Sequence, residues 1–173
     1  MNFLTRRLRA LSLCGLLGAA LGLAACDPQA IKELEEGVST EADVVQRFGQ
    51  PERVWPEAGG AKTYEYNRQP EGMRNYMITI GPDGKMSALR QVLTPDNFRR
   101  VQPGMGVEDV RRMLGKPAKQ VPYKLQNEIV WTWKFLEPPS EKKGFNVVFS
   151  PDYRVIRTEI GPDPDGPDMR GGG

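Results

Sequence analysis

Two hydrophobic spacings alternate along this chain. Around residues 40–48 and 106–114 the apolar positions recur three and four apart. The first stretch has Val44, Val45 and Phe48; the second has Val107, Val110, Met113 and Leu114. That spacing puts them on one face of a helix. Thr40 is a good N-cap for the first helix, with Asp43 three residues on as its capping-box partner. Gly49 and Pro51 then stop it, as Gly115 and Pro117 stop the second. Gly106 is a weaker cap than Thr40. A shorter helix is predicted before each, from about Ala30 to Gly37 and from Phe98 to Gly104, each ending on a glycine suited to a left-handed turn.

After the helices the spacing changes to two. Tyr64 and Tyr66, and later Trp131 and Trp133, alternate with polar residues, the mark of half-buried strands. Tyr76, Ile78 and Ile80 form a second inward set, matched by Phe145, Val147 and Phe149. Pro82-Asp83-Gly84 reads as a turn into a third strand, residues 86–93, with 155–160 as its later counterpart. The pattern therefore predicts an α+β fold: helix, helix and three strands, with the helices on one face of an antiparallel sheet.

The pattern also occurs twice, at a pitch of 66–69 residues. Gly37 answers Gly104, and Phe48-Gly49-Gln50-Pro51 answers Leu114-Gly115-Lys116-Pro117. Tyr64 and Tyr66 answer Trp131 and Trp133. Pro82-Asp83 answers Pro151-Asp152, and Pro95-Asp96 answers Pro162-Asp163. Landmarks in one order predict a duplication, with module A over 31–96 and module B over 97–160. The polar Gly/Pro-rich segment 161–173 reads as a disordered tail.

Residues 1–25 read as a lipoprotein signal peptide. Arg6, Arg7 and Arg9 precede an uncharged apolar run over 10–23, shorter than the ~20 residues that span a bilayer. The run ends Leu23-Ala24-Ala25-Cys26, which resembles a bacterial lipobox, with cleavage between Ala25 and Cys26. The Cys26 thiol would then carry the lipid, and residues 26–30 form a short tether. An ordinary secretory signal with a coincidental cysteine is the alternative. Asp27 resembles the residue that retains some lipoproteins in the inner membrane, so either membrane is open, with the outer favoured.

Charge changes the picture once the chain is divided. Three of the 24 Lys and Arg residues lie in the signal segment, which has no acid. The remainder is nearly balanced, 21 basic against 22 acidic residues. Such a surface offers no footprint for nucleic acid. Histidine is absent, which removes the commonest general base and transition-metal ligand. No nucleophile elbow, phosphate loop or cysteine/histidine metal spacing is present. Asp163, Asp165 and Asp168 lack the glutamate that would close a calcium loop. Two distant carboxylates meeting in the fold is the one catalytic arrangement that spacing leaves open. The reading is therefore a non-enzyme with no cofactor, no metal and no small-molecule substrate.

Gly104-Met105, Val110, Leu114-Gly115 and Pro117, followed by Trp133, Phe145-Asn146-Val147 and Pro151-Asp152, resemble the BamE/SmpA (small protein A) lipoproteins. Module A is a looser match, with Val38 where Met is usual and Phe48 where Leu is usual. Tyr153 replaces the usual turn glycine of module B. The resemblance implies a periplasm-facing, non-catalytic scaffold supporting the outer-membrane β-barrel assembly complex or envelope integrity. The doubled module also resembles the β-lactamase inhibitory proteins, which implies an alternative: an inhibitor or sensor binding one periplasmic enzyme.

Candidate partner contacts follow from alternation. If Tyr76, Ile78, Ile80, Phe145, Val147 and Phe149 face the helices, then Met77, Thr79, Asn146 and Val148 face away. Trp55 and Tyr123, each beside a proline, would flank that outer face as aromatic anchors. Only Asp27, Pro28 and Gln29 separate the lipid from the first helix. At ~3.3–3.6 Å per residue the module would sit roughly 10–15 Å from the bilayer, near membrane-embedded envelope proteins.

Overall fold

Thr40 caps a helix, α1 (Glu41–Phe48), by accepting from Asp43 N while Asp43 Oδ2 accepts from Thr40 N at 2.8 Å. Val44 and Phe48 form its buried stripe. At its end Gly49 takes φ 82° and sends its N–H to Val45 O. The computed structural model describes residues 31–166. The expectations for the signal peptide, Ala25 and Cys26, the tether and residues 167–173 lie outside the described residues.

Four strands follow α1: β1 (Arg53–Pro56), β2 (Lys62–Asn67), β3 (Asn75–Ile80) and β4 (Met86–Gln91). They form one antiparallel sheet in chain order. Two further helices, α2 (Pro95–Arg99) and α3 (Val107–Leu114), lead into β5 (Lys119–Tyr123), β6 (Glu128–Glu137), β7 (Glu141–Phe149) and β8 (Val155–Pro162). These strands form a second antiparallel sheet, again in chain order.

The expected α+β fold of helix-helix-three-strand modules is therefore corrected. Strand makes up 43% of the described residues and helix 19%, so the protein is mostly β, built on two four-stranded sheets. The difference arises at the start and in the middle of each expected module. The first predicted helix amounts to Ile31 and Lys32 and a turn among the described residues, while β1 and β5 are strands where the pattern predicts no element. Both contain a proline, Pro56 and Pro122, which usually argues against a strand. Both are edge strands, where the missing N–H costs no ladder bond.

Each sheet has its own core. Val44 and Phe48 pack with Tyr64, Tyr66, Tyr76, Ile78 and Ile80. Val110, Leu114 and Phe98 pack with Trp131, Trp133, Phe135, Phe145, Val147 and Phe149. Phe98 stacks on Phe145 with ring centroids 4.1 Å apart. The two halves share small details. The carbonyl of the helix-ending glycine accepts from an aromatic on the second strand: Gly49 from Tyr66 OH at 3.0 Å, Gly115 from Trp133 Nε1 at 2.9 Å. Isolated bridges Thr40 to Lys85 and Gly106 to Arg154 tie each helix start to the strand-three turn.

The segment expected to be disordered from residue 161 is structured over 161–166. Gly161 and Pro162 extend β8, pairing with Gly144 and Lys143. Asp165 then reaches back to Lys119 and Lys134. Two ion pairs hold what composition alone marks as loose.

Candidate functional site

Each sheet has one face on its own helix and one face turned away. The outer face of the first sheet is closed by the second half of the chain. α3 is amphipathic in two directions: Val110 and Leu114 enter the second core, and Arg111 and Arg112 point to the first sheet. Arg111 meets Glu65, with Nη2 to Oε1 3.2 Å, and Arg112 meets Glu57 at 2.7 Å. Arg53 meets Glu108 at 2.9 Å.

Glu65 is fully buried and fully paired. Its carboxylate also accepts from Trp55 Nε1 at 3.0 Å, Asn67 Nδ2 at 2.8 Å and Lys116 N at 3.0 Å. Trp55 lies under two guanidinium groups, Arg53 at 4.3 Å and Arg112 at 5.8 Å from its ring. Asn75, also fully buried, donates to Leu114 O at 2.8 Å and Lys116 O at 3.1 Å. Gln69 brackets the Lys134 peptide, donating to its carbonyl at 2.8 Å and accepting from its N–H at 3.1 Å. This polar interface fixes one half of the molecule on the other.

Among the described residues, no helix covers the outer face of the second sheet in this way. That face lines a groove of about 580 Å³ with Val121, Tyr123, Val130, Thr132 and Asn146 on its floor and wall. One rim is the Arg157–Glu128 pair, bonded at 2.5 and 3.0 Å. This pair spans from β8 to β6 at the level of Val148, and its hydrogen bond holds the Glu128 carboxyl below the usual carboxylate range. The opposite rim is the strap 161–166, with Pro162 and Pro164 in the wall. Asp165 fastens it, bonded to Lys119 Nζ at 2.8 Å and Lys134 Nζ at 2.7 Å. Hydrogen bonds from Lys119 and then Lys134 hold its carboxyl down at about 2.

The six expected contact residues do not form one surface. Trp55 and Met77 are buried, at 9% and 7% exposure. Thr79 is half-buried and its hydroxyl pairs with Thr63 at 3.1 Å. Val148 is fully buried. Asn146 is half-buried in the groove and accepts from Thr132 Oγ1 at 2.6 Å. Tyr123 is 47% exposed at the groove's edge. Only Tyr123 and Asn146 belong to the open site. Sequence reasoning missed Lys119, Lys134 and Asp165, and of the exposed row Val121, Tyr123 and Leu125 along β5 and its turn it named only Tyr123. That row's two-residue spacing was a readable signal once β5 is recognised as a strand.

Among the described residues, no group of three or more Asp, Glu, Cys or His side chains could hold a metal ion. None of the described helices is long and apolar enough to cross a membrane. The carboxylates of the interface are consumed by ion pairs. The groove holds polar and apolar side chains in a shape that can grip a segment of another chain.

No protein-family model matches this chain, and no curated protein is significantly similar to it. Among solved structures it is similar to a DUF4309 family protein (YjgB) from Bacillus subtilis subsp. subtilis str. 168. The identity is 22% and the TM-score 0.31, covering 79% of this chain and 86% of that one. It is also similar to an extracellular protein containing an SCP domain from Bacillus anthracis str. Ames. There the identity is 13% and the TM-score 0.29, covering 77% of this chain and 45% of that one, so this chain spans under half of it. Likeness at these TM-scores carries no argument about function. The BamE/SmpA resemblance, and with it the likeness to β-lactamase inhibitory proteins, is corrected: no family model and no curated protein supports it. Its motif residues, Gly104, Gly115 and Pro117 among them, are helix-ending and turn-forming positions that unrelated small modules share.

Proposed function

We propose that this protein is a lipid-anchored, non-catalytic envelope protein that binds another protein on the open face of its second sheet. One observation carries the reading. The face that α3 covers on the first sheet is left open on the second, where it forms a groove beside exposed Val121, Tyr123 and Leu125. A rigid, mixed polar and apolar cleft with an exposed aromatic at its rim suits a protein contact. Acylation at Cys26 would hold the groove near the membrane and raise the effective concentration of envelope partners. The two modules over 31–96 and 97–160 are read as a duplication whose second copy supplies both the cover for the first sheet and the open face.

With the family resemblance withdrawn, nothing singles out the barrel-assembly complex as the partner. The test is a photoreactive residue in place of Tyr123, activated in intact cells of the source organism. Several envelope-assembly proteins in the adducts support a scaffold, and a single dominant enzyme supports an inhibitor. An absence of adducts at Tyr123 and at Leu125 removes the groove from the function.

A further inference from the structure

We infer that two copies of this chain join edge to edge along β8, about a two-fold axis through Thr158, into one continuous antiparallel sheet. The strand edge is a different surface from the groove floor, so this dimer leaves the groove free for the partner proposed above.

An edge strand presents a row of unpaired N–H and C=O groups, which proteins usually protect. β1 and β5 each carry a proline, Pro56 and Pro122. β4 is covered by the chain before α1. Gly37 N donates to Met86 O at 2.7 Å, Met86 N to Ser39 O at 2.8 Å, and Leu89 N to Glu36 Oε1 at 2.9 Å. β8 repeats the register of β4. Met86 and Leu89 pair with Ile80 and Ile78, as Val155 and Thr158 pair with Phe149 and Val147, with a register shift at the same place. The start of β8 is covered in a similar way, Gly104 N donating to Val155 O at 2.8 Å and Val155 N to Met105 O at 2.9 Å. Among the described residues that cover then ends. Pro103 precedes Gly104 where Glu36 precedes Gly37, and a proline side chain accepts no hydrogen bond. The Thr158 N–H therefore points out of the sheet, as that of Leu89 does, from an exposed residue with no carboxylate to meet it.

The free edge is a window from Ile156 to Ile160. At one end Met105 holds Val155. At the other the chain leaves β8 after Pro162 and crosses the outer face, where Asp165 meets Lys134 and Lys119. Within the window, Ile156-Arg157-Thr158-Glu159-Ile160 is its own antiparallel complement. About an axis through Thr158, Ile156 lies opposite Ile160 of the second copy and Arg157 opposite Glu159 of the second copy, and each contact occurs twice. Centring the pair on Arg157 or on Glu159 instead sets like charges face to face, which destabilises a cross-strand pair. Arg157 bonds Glu128 within its own sheet, yet its side chain stays 50% exposed. Glu159 is exposed and makes no salt bridge among the described residues.

The apolar side chains fit the same register. Thr158 and Ile160 pair with Val147 and Phe145, which face the helices, and alternation puts Ile156 with them. Ile156 and Ile160 are 42% and 50% exposed, unusual for isoleucines in a strand with its own core. Beside Ile160, a depression of about 360 Å³ is lined by Pro95, Phe98 and Phe145. Ile156 of the second copy, set opposite Ile160, closes over that depression. A two-fold contact uses the same patch on both partners, so assembly stops at two copies. Both grooves then lie on one face of the joined sheet.

The test is disulfide capture in the full-length chain, expressed in the source organism and read on non-reducing gels against chains with no added cysteine. Facing residues of a hydrogen-bonded antiparallel pair have Cα atoms ~5.5 Å apart, within reach of a disulfide. Thr158→Cys should therefore give a linked dimer and nothing larger. Ile160→Cys alone should not link, because its two copies stand roughly 13 Å apart, four residues at ~3.3 Å each. Mixed chains carrying Ile156→Cys and Ile160→Cys should link. Charge exchange then reads the register, with Thr158→Cys present throughout. Chains with Arg157→Glu, and chains with Glu159→Arg, should each link to themselves at least about threefold less, since both charge pairs become repulsive. Mixing the two kinds, told apart by length, restores opposite charges at both contacts and should restore the dimer. That restoration also shows that neither change unfolds the chain. Absence of a Thr158→Cys dimer overturns the proposal, as does a dimer equally strong in like-charged and mixed pairs.

Discussion

Tyr153 sits in a backbone conformation that its own side chain opposes. Its φ is 59°, in the turn between β7 and β8, and the matching turn between β3 and β4 places Gly84 there at φ 76°. A left-handed conformation costs a side-chain-bearing residue about 1–2 kcal/mol. Glycine gives back roughly 0.5–1 kcal/mol of this through its freer unfolded chain. Tyr153 is 51% exposed, so little burial would be lost with the ring. Tyr153→Gly should therefore stabilise the protein by about 0.5–1 kcal/mol, read from the midpoint of urea unfolding at unchanged slope. A lower midpoint would mean that the ring's packing outweighs the strain.

At the scale of elements, the glycines that end α1 and α3 separate backbone strain from crowding. Gly49 and Gly115 share nearly the same φ, 82° and 75°, but nothing lies within 4 Å of a Cβ on Gly49. Gly49→Ala should cost only the backbone term, about 1–2 kcal/mol. Gly115→Ala adds the clash with half-buried Asn67 and buried Asn75, and overpacking typically costs a further ~1–3 kcal/mol. Thermal unfolding of the two variants should rank Gly115→Ala clearly below Gly49→Ala, and equal melting temperatures would show that Asn67 and Asn75 give way. The same elements show how far the sequence could be read. α1, with its Thr40 and Asp43 cap, and the alternating strands around Tyr64, Ile78, Trp131 and Val147 were legible because local chemistry decides them. β1 and β5 were not, because Pro56 and Pro122 speak against a strand unless it is known to lie at an edge. The pattern starts the next helix at Phe98, whereas Thr94 accepts from Asn97 N and caps α2 from Pro95. Those missed elements turned a mostly β protein into an expected helix-rich one.

At the scale of the molecule, the candidate site depends on which outer face another element covers, and alternation along a strand carries no record of that. Trp55 and Tyr123 occupy neighbouring positions on like strands, yet α3 buries one and leaves the other open. The contact that decides this centres on Glu65, which has no exposed surface, and Arg111, whose side chain is 22% exposed. Removing one member of a buried pair leaves the other charge stranded and costs about 3–5 kcal/mol. Glu65→Ala should lose that much, since it also strips Trp55 Nε1 and Lys116 N of their acceptor. Arg111→Ala leaves Glu65 with three neutral donors, so its loss should be smaller. The double variant tests whether the halves are truly joined here. If the pair couples α3 to the first sheet, the double variant should be more stable than the sum of the single losses implies, by about 1–3 kcal/mol, the range for residues in one network. Urea unfolding followed by tryptophan fluorescence measures all four corners, because Trp55 reports on the first sheet while Trp131 and Trp133 report on the second. Additive losses would mean that Asn75, Gln69 and the Arg112–Glu57 pair hold the halves together without Glu65.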